Sequence, residues 1–146
     1  MLNLIQERLF EEGENGNLLP KLGLAYELSK DRTFAIVRLR QGVSFHDGTP
    51  FNADAVVAHW SRLLNPKNRY RSRMSVYYLK AVTKQSKYEV RFQFFYPTQD
   101  FHKALLVKNS FMSSIPSPKS VKEGTQVRHP VGTGPFQFKS WKSNFE

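Results

Sequence analysis

The sequence predicts an α+β fold, because strand-type and helix-type patterns follow one another along the chain without a βαβ rhythm. Two observations carry this prediction. Residues 34–40, FAIVRLR, place apolar side chains on both faces of a strand, which is typical of a central rather than an edge position. Residues 53–64 carry apolar side chains at three- and four-residue spacing, which is typical of an amphipathic helix. With 146 residues, 40% of them hydrophobic, the chain has the size of one globular domain.

The elements before the central strand are short. Apolar residues between positions 2 and 9 lie at roughly helical spacing and predict a first helix. Residues 11–17, EEGENGN, form a polar break that is typical of a hairpin or loop. An extended piece at 25–28 and a turn at 29–32 then lead into the central strand.

Turn and cap signals surround the predicted helix. Residues 43–45 indicate a brief strand, and the Asp-Gly dipeptide at 47–48 indicates a tight turn. Asn52 is well placed as the helix N-cap, and Asp54 in the first turn favours the positive end of the helix dipole. The Asn-Pro dipeptide at 65–66 ends the helix.

The C-terminal half adds one clear strand and several short elements. Residues 88–94 alternate apolar and polar side chains, which predicts a half-buried strand of a hairpin. Thr98 can cap a short helix, and residues 111–115 are a candidate strand. Prolines frame a short turn or helix at 116–121, and we expect residues 136–141 to be extended.

Two segments resemble a known family. They are residues 33–64, TFAIVRLRQGVSFHDGTPFNADAVVAHWSRLL, and residues 129–136, HPVGTGPF. On these segments the chain resembles the extracytoplasmic solute-binding proteins of peptide and nickel uptake systems, family 5 of the transporter-associated binding proteins. The chain departs from the family pattern in two places. It reads LAYEL at 24–28, where relatives often read L-A-E-S-W, and Asp-Arg at 31–32, where a D-G turn is usual.

The resemblance implies part of the N-terminal lobe of a two-lobed, periplasmic-binding-protein-like fold, with a mixed or antiparallel sheet and packed helices. It covers the N-terminal part of proteins that are several hundred residues long, so we expect the C-terminal lobe and the hinge to lie outside this chain. Residues of about 1–40 and 135–146 correspond to strands of the large lobe. Residues of about 41–134 correspond to a smaller α+β subdomain.

The implied function is the solute-binding component of an ABC-type importer. Such a protein captures a peptide or a nickel chelate between its lobes and delivers it to a membrane permease, and it is periplasmic or extracytoplasmic. Residues 1–9 indicate neither a secretory signal nor a membrane span. This leaves an alternative open: the same fold serving as the ligand-sensing domain of a transcriptional regulator.

The stretch at 70–78 is the candidate ligand-binding segment. Its tyrosines offer a flat apolar face with a polar tip, and its arginines can clamp a carboxylate, which suits an extended peptide or an anionic chelate. The alternative is a loop whose rings cover a helix end while its arginines stay in water. The resemblance implies that Tyr77 or Tyr78 reaches the ligand cleft, and that a second segment beginning at Phe111 faces it. The candidate ligand-binding residues are Arg73, Tyr77, Tyr78 and Phe111.

The sequence favours no catalytic, metal or cofactor site. Cysteine is absent and no G-x-S-x-G motif occurs, so no activated nucleophile is recognisable. The histidines do not pair at metal-ligand spacing, and His46 fits a structural turn better than a ligand or base. The Gly-Thr-Gly run at 132–134 lacks the lysine and the spacing of a phosphate-binding loop.

The chain is strongly basic, with a formal net charge of +10. Much of the excess lies between 62 and 87, which can be a solvated face or a face that pairs with an acidic partner lobe. A nucleic-acid-binding module is a third hypothesis that rests on this charge alone. Because no recognition helix, zinc finger or aromatic RNA platform is present in the sequence, we expect no nucleic-acid partner.

Overall fold

The computed structural model describes residues 2–68, 76–102, 113–126 and 128–140. Its helices and strands follow in chain order, and a short 3₁₀ turn lies at Pro66–Asn68. They are α1 (Leu2–Ile5), β1 (Phe10–Glu12), β2 (Leu18–Pro20), β3 (Gly23–Leu28), β4 (Phe34–Leu39), α2 (Ala53–Leu64), β5 (Leu79–Ser86), β6 (Glu89–Phe94) and α3 (Pro118–Lys122).

Two antiparallel sheets organise these elements. Strands β1 and β2 form the hairpin predicted around the polar break, with Glu12 opposite Leu18. The larger sheet has the order β3-β4-β6-β5, and all of its pairings are antiparallel. Strand β4 therefore lies inside the sheet, and the α+β prediction is confirmed.

The two faces of β4 differ in burial, although the sequence places apolar side chains on both. Ala35, Val37 and Leu39 are fully buried, whereas Phe34 and Ile36 on the other face are only half-buried. The Arg91 guanidinium covers the outer face by lying 3.7 Å from the centre of the Phe34 ring. The outer face is therefore partly apolar but shielded by a long cationic side chain.

Helix α2 covers the inner face of the sheet. The Asn52 side chain accepts hydrogen bonds from the backbone N–H groups of Asp54 and Ala55, which confirms the predicted N-cap. Val56 and Trp60 are fully buried on this helix, and the Trp60 ring meets Phe92 of β6 edge-on, 5.7 Å between centroids.

Three local features differ from the sequence prediction or go beyond it. Residues 43–45 form no strand, and only an isolated bridge joins Ser44 to Pro50. The β3–β4 turn places Arg32 in the left-handed region at φ 58°, where the related family usually has glycine. The predicted strand at 111–115 begins outside the described residues, and Ser114 makes an isolated bridge with Arg8.

The described ranges contain no helix that is both long enough and apolar enough to cross a membrane. The division into large-lobe strands and a smaller subdomain stays a prediction. A boundary near residue 40 would separate β4 from β6, although these two strands pair directly within one sheet.

Candidate functional site

The β5–β6 hairpin positions the candidate tyrosines. Leu79, the first residue of β5, pairs with Phe94, the last residue of β6. The ladder continues one step further, because the Phe95 N–H donates to the Tyr78 carbonyl at 2.9 Å. Tyr77 and Tyr78 therefore lie beside the residues that leave β6, at the end of the sheet opposite the β5–β6 turn.

The structure gives the two adjacent tyrosines different environments. Tyr78 is only 8% exposed, and its ring lies 6.1 Å from Phe94, centroid to centroid. Its hydroxyl is buried and has no hydrogen-bond partner in the described part of the chain. Burial, together with the nearby hydroxyls of Tyr77 and Tyr96, raises the pKa of Tyr78 well above its usual value, so this side chain stays neutral.

Tyr77 is exposed and contacts a tyrosine that the sequence analysis missed. Its ring is 67% exposed and lies 6.2 Å from the ring of Tyr96, which is 43% exposed. A hydrogen bond between the two side chains, helped by desolvation, raises the pKa of Tyr96 to about 12. Tyr77, Tyr78 and Tyr96 thus form one group, which we call the tyrosine cluster.

Removing one hydroxyl from the tyrosine cluster tests this geometry. The hydrogen bond to Tyr77 stabilises the neutral form of Tyr96, so Tyr77→Phe is expected to lower the pKa of Tyr96 from about 12 towards its usual value of 10.0. A raised pKa in the folded state also means that the associated stability is present below pH 10 and is lost as the pH rises through the folded value. Spectrophotometric titration of tyrosinate absorbance measures the shift.

Tyr88→Phe is the control for this titration, because Tyr88 lies next to the turn at the other end of the β5–β6 hairpin. Its loss of a hydroxyl should remove one titrating group and leave the others unchanged. A Tyr77→Phe curve that shows no downward shift for the remaining tyrosines would contradict the hydrogen bond.

The other two candidate residues, Arg73 and Phe111, lie outside the described residues, so their positions stay predictions. Tyr96 was missed because it follows β6 at a place where turn residues are expected. A signal was present in the sequence: two aromatic residues, Phe95 and Tyr96, directly follow a strand whose alternating pattern has already ended.

His46 and the Gly-Thr-Gly run take part in a backbone junction far from the tyrosine cluster in sequence. The His46 Nε2–H donates to the Gly134 carbonyl at 2.7 Å, and the His46 backbone N–H donates to the Gly132 carbonyl at 2.9 Å. Thr133 Oγ1 donates to the Glu7 carboxylate at 2.9 Å. These bonds join the chain start, the 47–48 turn and the 132–134 run, which supports a structural role for all three.

Asp47 contributes to the same junction through a side-chain hydrogen bond from Ser117, the N-cap of α3. Partial burial opposes ionisation of Asp47, but hydrogen bonds from Ser117 and Thr49 outweigh it and lower the pKa of this carboxyl. The described residues hold no group of three or more His, Asp or Glu side chains placed to bind a metal ion.

Comparison with known proteins identifies the family. Residues 17–145 match the family described as bacterial extracellular solute-binding proteins, family 5 Middle. The chain belongs to this family of solute-binding proteins.

Two curated relatives illustrate the match. The oligopeptide-binding protein AppA of Bacillus subtilis is 35% identical over 127 residues, which are 82% of this chain and 21% of AppA. The glutathione-binding protein GsiB of Pectobacterium atrosepticum is 31% identical over 145 residues, which are 91% of this chain and 26% of GsiB. The chain therefore spans about a fifth to a quarter of the length of these relatives.

A solved structure supports the fold. NikZ from Campylobacter jejuni, in complex with Ni(L-His), superposes with a TM-score of 0.81 at 30% identity. The superposition covers 96% of this chain and 28% of NikZ. Neither the family match nor these relatives favour the transcriptional-regulator alternative.

Proposed function

We propose that the protein is the solute-binding component of an ABC-type importer, which encloses its solute between two lobes and delivers it to a membrane permease. Membership of family 5 supports the proposal. So do the names of relatives, which give an oligopeptide, glutathione and a nickel–histidine complex as what those proteins bind. We favour peptides as the solute class, with nickel chelates as the second candidate, and an extracytoplasmic location. The proposal assigns no catalytic residue.

The structural observation behind the proposed site is the exposed ring of Tyr77, which contacts the ring of Tyr96 at the end of the β5–β6 hairpin. An exposed aromatic side chain in a fixed position offers a large contact area at little entropic cost. Tyr77 is therefore the residue proposed to contact the solute, and Tyr78 supports it from the core side. Arg73, proposed to bind a carboxylate, and Phe111, proposed to line the same cleft, complete the site.

In this proposal the cleft is closed by a second lobe of the same protein. Residues of about 1–40 and 135–146 contribute large-lobe strands, and residues of about 41–134 form the smaller subdomain. The exposed basic side chains of β5 remain available to an acidic partner surface. Only Lys84 among them forms an ion pair within the described residues, at 2.8 Å from Asp54.

Calorimetric titration of the full-length protein tests the proposal. Short peptides, glutathione and Ni(L-His) are titrated separately, and at least one is expected to bind. Tyr77→Ala is expected to weaken binding by about tenfold, because truncating an aromatic contact residue costs on the order of 1–2 kcal/mol.

Tyr88→Ala serves as the matched control, since it removes a tyrosine from the opposite end of the same hairpin. It should leave the affinity within about twofold of the unchanged protein, a difference below roughly 0.5 kcal/mol. Failure of the full-length protein to bind any of the three solute classes would contradict the proposed function. If Tyr77→Ala and Tyr88→Ala weaken solute binding equally, Tyr77 is not a contact residue.

A further inference from the structure

Two of the exposed aromatic rings in the described part of the chain lie together. Tyr77 and Tyr96 are 67% and 43% exposed, and their rings are tilted by 42° with centroids 6.2 Å apart. Phe95 is also exposed, at 63%, but among the described residues no ring contact joins it to either tyrosine. The structure thus presents a paired aromatic surface next to a single exposed ring.

The pair is held in a fixed arrangement. The contact between the Tyr77 and Tyr96 rings joins the two side chains, with centroids 6.2 Å apart. Tyr78 fixes the base, because its ring meets Tyr77 edge-on at 5.7 Å and is itself buried against Phe94. A surface that is already ordered loses little side-chain entropy when a ligand covers it.

The tyrosine cluster is also neutral. Hydrogen bonding raises the pKa of Tyr96 and burial raises that of Tyr78, so both side chains stay neutral well above physiological pH. The buried Tyr78 hydroxyl lacks a partner in the described residues, although its side chain is more than nine-tenths buried. A neutral aromatic surface offers ring-to-ring contacts to an uncharged planar group.

We propose that the paired rings of Tyr77 and Tyr96 bind an aromatic side chain of the solute, so that Tyr96 makes the protein prefer peptides that contain an aromatic residue. This inference rests on the proposed function and names a specificity determinant within it. Ring pairs in offset or edge-to-face geometry, with centroids roughly 4.5–7 Å apart, contribute roughly two- to tenfold in affinity beyond simple burial. Tyr96 supplies the second ring of this pair, so an aromatic side chain of the solute can contact two protein rings and not Tyr77 alone.

The test uses the full-length protein and a small peptide series. The reference peptide is tri-alanine. In three further tripeptides, phenylalanine replaces the alanine at the first, second or third position. In the last three, cyclohexylalanine replaces the same alanine. Isothermal titration calorimetry is expected to show one phenylalanine peptide binding about five- to tenfold more tightly than tri-alanine. Its cyclohexylalanine counterpart, which is apolar but has no π system, should recover less than half of that gain.

Tyr96→Ala is the decisive variant, and Phe95→Ala is its matched control. Tyr96→Ala is expected to reduce the preference for the phenylalanine peptide over tri-alanine to under about twofold. Phe95→Ala removes a neighbouring ring that is more exposed, at 63% against 43% for Tyr96, and should keep the preference. Circular dichroism and the midpoint of urea unfolding establish that both variants are folded.

The outcomes separate this inference from the proposed function. Peptide binding with no aromatic preference, or a preference that survives in Tyr96→Ala, overturns the inference and leaves the proposed function standing. An equal loss of affinity for all peptides in Tyr96→Ala also overturns it, because that result indicates a general defect of the cleft. Failure of the unchanged protein to bind any peptide, glutathione or Ni(L-His) overturns the proposed function, and the inference with it.

Discussion

Gly132→Ala is expected to destabilise the protein by about 3 kcal/mol, at the upper end of the range for overpacked sites. A methyl group on Gly132 would overlap the Ile5 carbonyl oxygen and lie 2.7 Å from the Gln6 Cα. Both neighbours are backbone atoms, so neither can move away as a flexible side chain could. The φ angle of Gly132 does not lie in the left-handed region, so backbone strain does not require a glycine here. The lack of space for a Cβ atom does.

The surrounding hydrogen bonds prevent the 132–134 run from shifting to relieve this overlap. The Gly132 carbonyl accepts from the His46 N–H at 2.9 Å, and the Gly134 N–H donates to the Ile5 carbonyl at 2.9 Å. Next to the glycine, the Val131 carbonyl accepts from the Ser117 N–H at 3.0 Å. Moving the run outward would break several of these bonds, each of which contributes about 1 kcal/mol.

Gly42→Ala is the matched control. Gly42 has a φ of 73°, but a methyl group on its Cα would meet no atom within 4 Å, so only backbone strain is added. That strain costs roughly 1–2 kcal/mol. Urea unfolding monitored by tryptophan fluorescence compares the two variants. A Gly132→Ala protein as stable as Gly42→Ala would mean that the close crossing of residues 5 and 132 does not exist in solution.

Trp60→Ala is expected to lower the free energy of unfolding by about 3–5 kcal/mol, which is typical of removing a large buried aromatic side chain. Trp60 is fully buried on α2 and packs edge-on against Phe92 and against its neighbour His59. Its truncation would leave a cavity between the helix and the sheet that these surrounding rings can only partly fill. Because α2 covers the inner face of the larger sheet, the loss should reduce the cooperativity of unfolding as well as its midpoint.

Trp60→Phe distinguishes lost volume from lost polar contacts. The Trp60 Nε1–H is buried and has no hydrogen-bond partner within the described residues, so replacing the indole by a phenyl ring removes an unsatisfied donor. We therefore expect Trp60→Phe to lower the free energy of unfolding by only about 1–2 kcal/mol, which is less than the loss in Trp60→Ala. Thermal and urea unfolding measure the loss of stability in each variant. If Trp60→Phe loses as much stability as Trp60→Ala, the indole N–H makes a stabilising contact and is not an unsatisfied donor.

The local sequence determined the regular elements. Asn52 as the N-cap of α2 and the burial of alternate residues in β6 follow from patterns over two to four residues. Such short-range patterns are readable in the sequence because each residue's partners are its own neighbours. The family, too, was recognisable from two contiguous segments, 33–64 and 129–136, and the comparison with known proteins confirmed it.

The tertiary structure decided everything that depends on distant partners. The sequence marked Tyr77 and Tyr78 as equivalent candidates, but the end of the β5–β6 ladder buries one and exposes the other beside Tyr96. Likewise, the His46–Gly134 bond joins residues 88 positions apart. Neither arrangement has a periodicity or a cap signal, because both arise only when strands from separate parts of the chain come together. The elements and the family were therefore readable from the sequence by itself, while the geometry of the candidate site came from long-range packing.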